Sequence, residues 1–223
     1  MSLQIFIAGT DTNAGKTYIS AGLLSAFNHL GYKTLGIKPV ASGCKSIDGA
    51  LLNEDTLTLQ QHSSITLPHH ILTPFAFEPP IAPHIAAELS NHHLSVAQLN
   101  ETCRPALEYK SDVSIIEGCG GWYVPLNQTE TMADFVIANQ FKVILVVGIR
   151  LGCINHTLLT YRAMMQDGID VSGWIANCID PDMEMKTENI ISLQHRLPIP
   201  CLGIVDYGTP PENVIDTHLL IKY

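Results

Sequence analysis

The stretch Leu3–Thr17 constrains this chain more than any other. An apolar run, Leu3–Ala8, ends in Gly9-Thr10-Asp11-Thr12-Asn13-Ala14-Gly15-Lys16-Thr17, and an amphipathic segment follows. That segment, Gly15–Leu30, places Ile19, Leu23, Phe27 and Leu30 on one helical face, and Gly31 supplies a stop. A strand, a glycine-containing turn and a helix in this order make a phosphate-binding P-loop. Backbone amides and the helix N-terminus cradle phosphate, a lysine reaches the outer phosphates, and the next hydroxyl takes Mg²⁺. Lys16 and Thr17 stand at those two places. Five residues, not the usual four, separate Gly9 from Gly15-Lys16, so Thr10 holds the place of the first glycine. A glycine turn followed by a chance Lys-Thr gives similar letters but not the flanking strand and helix.

The same alternation continues along the chain. Apolar runs at Thr34–Lys38, Asp112–Glu117, Val143–Val147, Ser172–Asn177 and Cys201–Val205 predict buried parallel strands. Helical patterns lie between them at Asn53–His62, Ser95–Lys110, Thr131–Gln140, Asn155–Asp167, Glu184–His195 and Pro211–Ile221. With right-handed crossovers, this implies a three-layer α/β fold of the P-loop NTPase-like kind, with a mostly parallel central sheet. Pro68–Pro83 holds five prolines and reads as an irregular loop, not a linker, so residues 1–223 are expected to form a single domain. Ligands of such folds sit at the carboxyl ends of the strands. Gly9–Thr17, Lys38–Gly43, Glu117–Gly121, Gly148–Asn155, Asn177 and Asp206 are therefore expected to converge on one crevice.

Charge and composition bound the partners. The chain has 12 Lys and Arg against 21 Asp and Glu, a net charge of −9, which disfavours nucleic acid or an anionic membrane. The strongest apolar run, Val143–Ile149, is far short of the roughly 20 residues of a membrane helix. No basic, apolar, cleavable start is present, and the six cysteines show no metal-like spacing, so a cytoplasmic protein with reduced thiols is expected. The paired His69-His70 and His92-His93 read as solvated, and Trp122 and Trp174 as packing residues.

Mg²⁺ takes one or two carboxylates together with phosphates and water. Val113–Glu117 is an apolar strand ending in an acid, the layout of a Walker B segment. The following Gly118-Cys119-Gly120-Gly121 lets backbone approach a nucleotide closely, although glycines serving a plain turn look the same. Asn53-Glu54-Asp55 adds two acids that also suit the first turn of a helix, and the residues alone do not choose between them. Lys38 ends a strand on the same edge, where it can neutralise a transferring phosphoryl group or simply reach solvent. Ser42 and Gly43 offer a hydroxyl and an amide to a polar substrate.

In order and wording, five segments resemble the dethiobiotin synthetase family. They are Gly-Thr-Asp-Thr-x-x-Gly-Lys-Thr at 9–17, Lys-Pro-Val-Ala-Ser-Gly at 38–43, Glu-Gly-x-Gly-Gly-Trp at 117–122, Val-Ile-Leu-Val-Val-Gly at 143–148 and Leu-Gly-Cys-Ile-Asn-His at 151–156. The resemblance runs from about residue 5 to 213. It implies a homodimeric enzyme that uses ATP and Mg²⁺ to join CO₂ to 7,8-diaminononanoate and close a cyclic urea. One substrate amine forms a carbamate, ATP phosphorylates it, and the second amine displaces phosphate. By the same resemblance Lys38 and Lys16 are catalytic, and Thr17, Asp55 and Glu117 hold Mg²⁺. The ATP site would also include Asn13, Ala14, Gly15, Tyr18, Gly118, Cys119 and Gly120. Its base and ribose side would include Asn177, Cys178, Val205, Asp206, Tyr207 and Glu212. Thr12 and Ser42 would touch the diamine, while Gly152, Cys153 and Asn155 would bind its carboxylate from the neighbouring subunit.

Two places depart from the family pattern. Asn13 stands where Glu is frequent, which removes a negative charge near the metal. Ile204–Thr209 replaces a more proline-rich stretch beside adenine. Two other readings are weighed against the ligase. A cobyrinate-type amidoligase usually carries a glutaminase domain, for which 223 residues leave no room. A dimeric ATPase switch expects a lysine early in the loop, where Asn13 and Ala14 stand, and its DNA-binding forms want a basic surface.

Overall fold

The computed structural model describes residues 2–221, so the expected domain span includes Met1, Lys222 and Tyr223, which lie outside the described residues. Strand β1 (Leu3–Gly9) sends alternate side chains to opposite faces, as a buried strand must. Ile5 and Ile7 pack with Ile19, Leu23 and Phe27 of helix α1 (Lys16–His29), while Phe6 and Ala8 enter a second apolar cluster on the far side.

After α1 comes β2 (Thr34–Ile37), then an excursion away from the sheet. It contains β3 (Val40–Ser42), the hairpin of β4 (Lys45–Ile47) and β5 (Ala50–Leu52), helices α2 (Glu54–His62) and α3 (His69–Leu72), β6 (Phe75–Phe77), α4 (Pro83–Leu89) and α5 (Val96–Leu107). The chain then alternates through β7 (Val113–Glu117), α6 (Met132–Asn139), β8 (Lys142–Gly148), α7 (Cys153–Gln166), β9 (Val171–Asn177), α8 (Lys186–Arg196) and β10 (Cys201–Val205) before the short α9 (His218–Ile221). Six strands form the main sheet in the order β10-β9-β8-β1-β7-β2, and every pairing is parallel.

The connections explain where a ligand can enter. From β1 the chain crosses to β2 through α1 on one face. From β7 through β10 it travels the other way, with α6, α7 and α8 packed on the opposite face. Right-handed crossovers require that exchange of face when direction reverses. The loop leaving β1 therefore turns away from those leaving its neighbours β7 and β8, which opens a crevice at the carboxyl end of β1.

The fold expected from sequence is present, with local differences. Pro68–Pro83 is not wholly irregular: it carries α3 and β6, and β6 pairs parallel with β3. The segment Pro211–Ile221 is not one helix but a 3₁₀ turn, Pro211–Asn213, followed by α9. Asp48 and Gly49, both at positive φ, close the β4–β5 hairpin, a turn that an Asp-Gly pair favours. Among the described residues no helix is long and apolar enough to cross a membrane.

Candidate active site

The loop after β1 makes its turn with two left-handed residues, Asn13 (φ 63°) and Gly15 (φ 87°). Asparagine tolerates that conformation better than most side chains, so the departure at Asn13 suits the local backbone. Gly15 has a second constraint. A Cβ there would lie 1.9 Å from the Asn177 amide nitrogen, which itself donates to the Ala14 carbonyl at 2.9 Å.

Four elements then bring charge together in a cleft of about 280 Å³. Lys16, at the start of α1, donates through Nζ to the Gly120 carbonyl at 2.5 Å and to the Asp11 carbonyl at 3.3 Å. Lys38, just beyond β2, donates to Glu117 Oε1 at 2.6 Å, Asp55 Oδ2 at 2.9 Å and the Gly118 carbonyl at 3.3 Å. The Thr17 hydroxyl donates to the same Glu117 oxygen at 2.8 Å. Lys16, Lys38 and Glu117 are all buried.

Charges out of water must be paired or change protonation. Burial works against the Lys38 cation, but Glu117 and Asp55 outweigh it and hold the ammonium above the ordinary lysine range. Lys16 shifts the other way, because burial and then the Lys38 charge disfavour its cation more than the acids favour it. For Asp55 burial raises the pKa, but the Lys38 charge and hydrogen bond win and keep the carboxyl below its usual value. Burial pushes the Cys119 thiol up, which suits a lining residue rather than a nucleophile.

The two adjacent acids are placed differently. Asp55 faces Lys38, whereas Glu54 points outward to an exposed ion pair with Lys45. Asn53 caps α2 by accepting from the Thr56 amide at 3.2 Å, and so fixes the turn that carries Asp55. Among the described residues no group of three or more His, Cys, Asp or Glu side chains is placed to hold a metal. Two carboxylates and a hydroxyl nevertheless fit Mg²⁺, which completes its shell with phosphate and water. Glu117 Oε2 supports that fit, since it is buried without a hydrogen-bond partner.

Thr12, Asn13, Ser42, Cys119 and Gly120 also line this cleft. A second cleft of about 430 Å³ opens on the other side of Gly15, lined by Tyr18, Asn177, Cys178, Asp206 and Tyr207. Asp206 is tied there to Lys186 at 2.6 Å. A third, more apolar trough of about 570 Å³ shares Thr12, Ser42, Cys119 and Gly120 with the first and continues over Pro80, Ile81 and Val124.

Not every expected residue lines a cleft. Ala14 and Gly118 contribute carbonyls from behind the loops. Val205 is fully buried in the core, and Glu212 sits in the 3₁₀ turn beside Gly22 of α1. Gly152, Cys153 and Asn155 open α7 outside all three clefts of their own chain. Asn53, Asp11 and Arg150 were not singled out from sequence. Only Asn53 had a local signal, an amide residue before an acidic helical turn. His69 is not solvated as expected: it is partly buried, and its Nε2 accepts from the Asn53 amide at 3.4 Å. His70, His92 and His93 are exposed, and all six cysteines are free thiols.

The parallel sheet, the loop leaving β1 and the paired cations and acids at its end define a P-loop nucleotide-binding protein. A family model described as an AAA domain matches residues 3–213. The ATP-dependent dethiobiotin synthetase BioD of Cellvibrio japonicus is 48% identical over 200 residues, covering 90% of this chain and 87% of that one. Its counterpart in Pseudomonas paraeruginosa is 46% identical over 200 residues, covering 90% and 88%. The chain belongs to the dethiobiotin synthetase family. Its fold is also similar to that of the septum site-determining protein MinD of Pyrococcus horikoshii, solved with Mg-ADP. That match has a TM-score of 0.58 at 14% identity, covering 100% of this chain and 90% of that one.

Proposed function

We propose that the protein is an ATP-dependent cyclo-ligase that joins CO₂ to 7,8-diaminononanoate and closes the cyclic urea of dethiobiotin, a step of biotin biosynthesis. The observation that carries this reading is the continuity of the phosphate cleft with the apolar trough through Thr12, Ser42, Cys119 and Gly120. One end suits a triphosphate and a second anion. The other suits an aliphatic chain bearing two amines.

In this reading Thr17, Asp55 and Glu117 hold Mg²⁺, which when bound neutralises charge on the transferring phosphoryl oxygens. Lys38 and Lys16 supply two cations to the carbamate and the γ-phosphate, where negative charge must be gathered before phosphoryl transfer. The buried position of Lys38 strengthens its field, because little water screens it. Ser42 and Thr12 orient the diamine so that its second amine reaches the activated carbonyl and displaces phosphate. Asn177, Cys178, Asp206 and Tyr207 take the base. Gly152, Cys153 and Asn155 receive the substrate carboxylate of the neighbouring subunit, which agrees with their position outside their own clefts. The enzyme is then a cytoplasmic homodimer with one synthetase domain per chain, spanning 1–223.

Phosphate release measured with and without diaminononanoate and bicarbonate tests the reading. Release that requires both is expected. Hydrolysis that ignores both would replace the ligase by an ATPase switch.

A further inference from the structure

Arg150 lies between the end of β8 and the start of α7, and its Nη2 donates to Asp11 Oδ2 at 2.5 Å across 139 residues of sequence. Asp11 sits in the long phosphate loop and is committed on three sides. Its other carboxylate oxygen accepts from the Thr12 amide at 2.7 Å, and its carbonyl accepts from Lys16 Nζ at 3.3 Å. Arg150 is fixed at its far end as well. Its carbonyl accepts from the Cys153 amide at 3.0 Å and closes the turn that opens α7. Just before it, the Ile149 amide donates to the Asn177 carbonyl at 2.7 Å.

An extra residue in a loop enlarges its set of conformations, and something must restrict it if the loop is to cradle phosphate in one shape. A charge-assisted bond from a planar guanidinium restricts both position and direction. The two side chains are 40% and 45% exposed, so solvent screens the pair and its share of global stability is small. Its importance lies in what it connects.

We propose that Arg150 is a positioning residue that fastens the phosphate loop, through Asp11, to the turn Arg150–Cys153, so that one contact sets the nucleotide and diamine sites relative to each other. The identity of the second site rests on the ligase reading above. In that reading the turn serves the neighbouring subunit's substrate, so the contact also links the two sites of a dimer.

Steady-state kinetics of Arg150→Gln, Arg150→Lys, Asp11→Asn and the double variant Asp11→Asn/Arg150→Gln test this, beside calorimetric binding of ADP. Arg150→Gln and Asp11→Asn are each expected to raise KM for ATP and for the diamine by about fivefold, and the double variant should be no worse than the worse single one, because both remove the same contact. Arg150→Lys should recover about half of the loss, since it restores the charge without the fork. Losses that multiply in the double variant, or a change confined to kcat, would overturn the proposal and place Arg150 on a reactant instead. A wild-type protein that binds ADP but turns over no diamine would defeat the ligase reading alone. The comparison of ADP affinity between wild type and the four variants would then still decide the fastening.

Discussion

The two ends of the sheet are built from the same strands and differ completely in how they hold polar groups. At the amino end, an opening of about 650 Å³ is lined by Gln4, Lys33, Tyr109, Lys110 and Asp112, whose charged members are all exposed. Its buried polar atoms are neutral hydroxyls: Ser111 Oγ lies 2.8 Å from Ser114 Oγ and 3.1 Å from Ser2 Oγ. At the carboxyl end the phosphate cleft alone is less than half as large, yet Lys16, Lys38 and Glu117 are buried beside it. Size does not make the site. Helices α1 and α7 both begin at the carboxyl end, and their N-termini bring partial positive charge there. Buried ions are kept at that end because they hold one another, and the arrangement favours binding anions over stability for its own sake.

The largest test of this contrast is Lys38→Ala, expected to lower kcat for dethiobiotin formation by about 10³-fold, at the upper range for loss of one buried electrostatic group. Activity within tenfold of wild type would remove Lys38 from its role. Next comes stability. Lys38→Met leaves Glu117 with a buried charge and should cost about 3–5 kcal/mol in chemical denaturation, whereas Lys38→Met/Glu117→Leu should recover most of that without recovering activity. If the double variant stayed as unstable as the single one, the carboxyl end would be built for stability after all.

A smaller effect is expected from pH. Asp55 has its carboxyl held below 3.8, so its contribution is present above that value and is lost as pH falls through the depressed pKa. Asp55→Asn should therefore be less stable than wild type at neutral pH, and the two unfolding curves should converge as the pH drops below 3.8. The smallest effect belongs to the amino end. Asp112 Oδ2 accepts from the Lys33 amide at 2.7 Å. Asp112→Ala should cost about 1 kcal/mol and leave both KM values unchanged. A kinetic defect there would erase the distinction between the ends.

Much of the carboxyl end was legible because its residues lie at the junctions of short, strongly patterned segments. Gly15, Lys16 and Thr17 follow a buried run and open an amphipathic helix, and Glu117 ends another run. Asp55 could not be told from Glu54, because adjacent residues on a helix differ only in the direction they face. That direction is set by the Asn53 cap and by where α2 lies against Lys38. The pairing of β3 with β6 joins two three-residue strands separated by proline-rich chain, so neither shows a period of its own. The Asp11–Arg150 contact joins residues with no local pattern at all. The β4–β5 hairpin is a different case, since Asp48-Gly49 was visible and its flanking runs were merely short.

The contact of Gly15 with Asn177 makes one residue the boundary between two clefts. The residue at the hinge of the phosphate loop has no side chain, and the amide of Asn177 sits on it and holds the next carbonyl back along the chain. The two clefts therefore share Gly15 and meet across its backbone. A ligand that fills both has to pass this glycine, with Tyr207 lining the cleft on one side and Lys38 the cleft on the other.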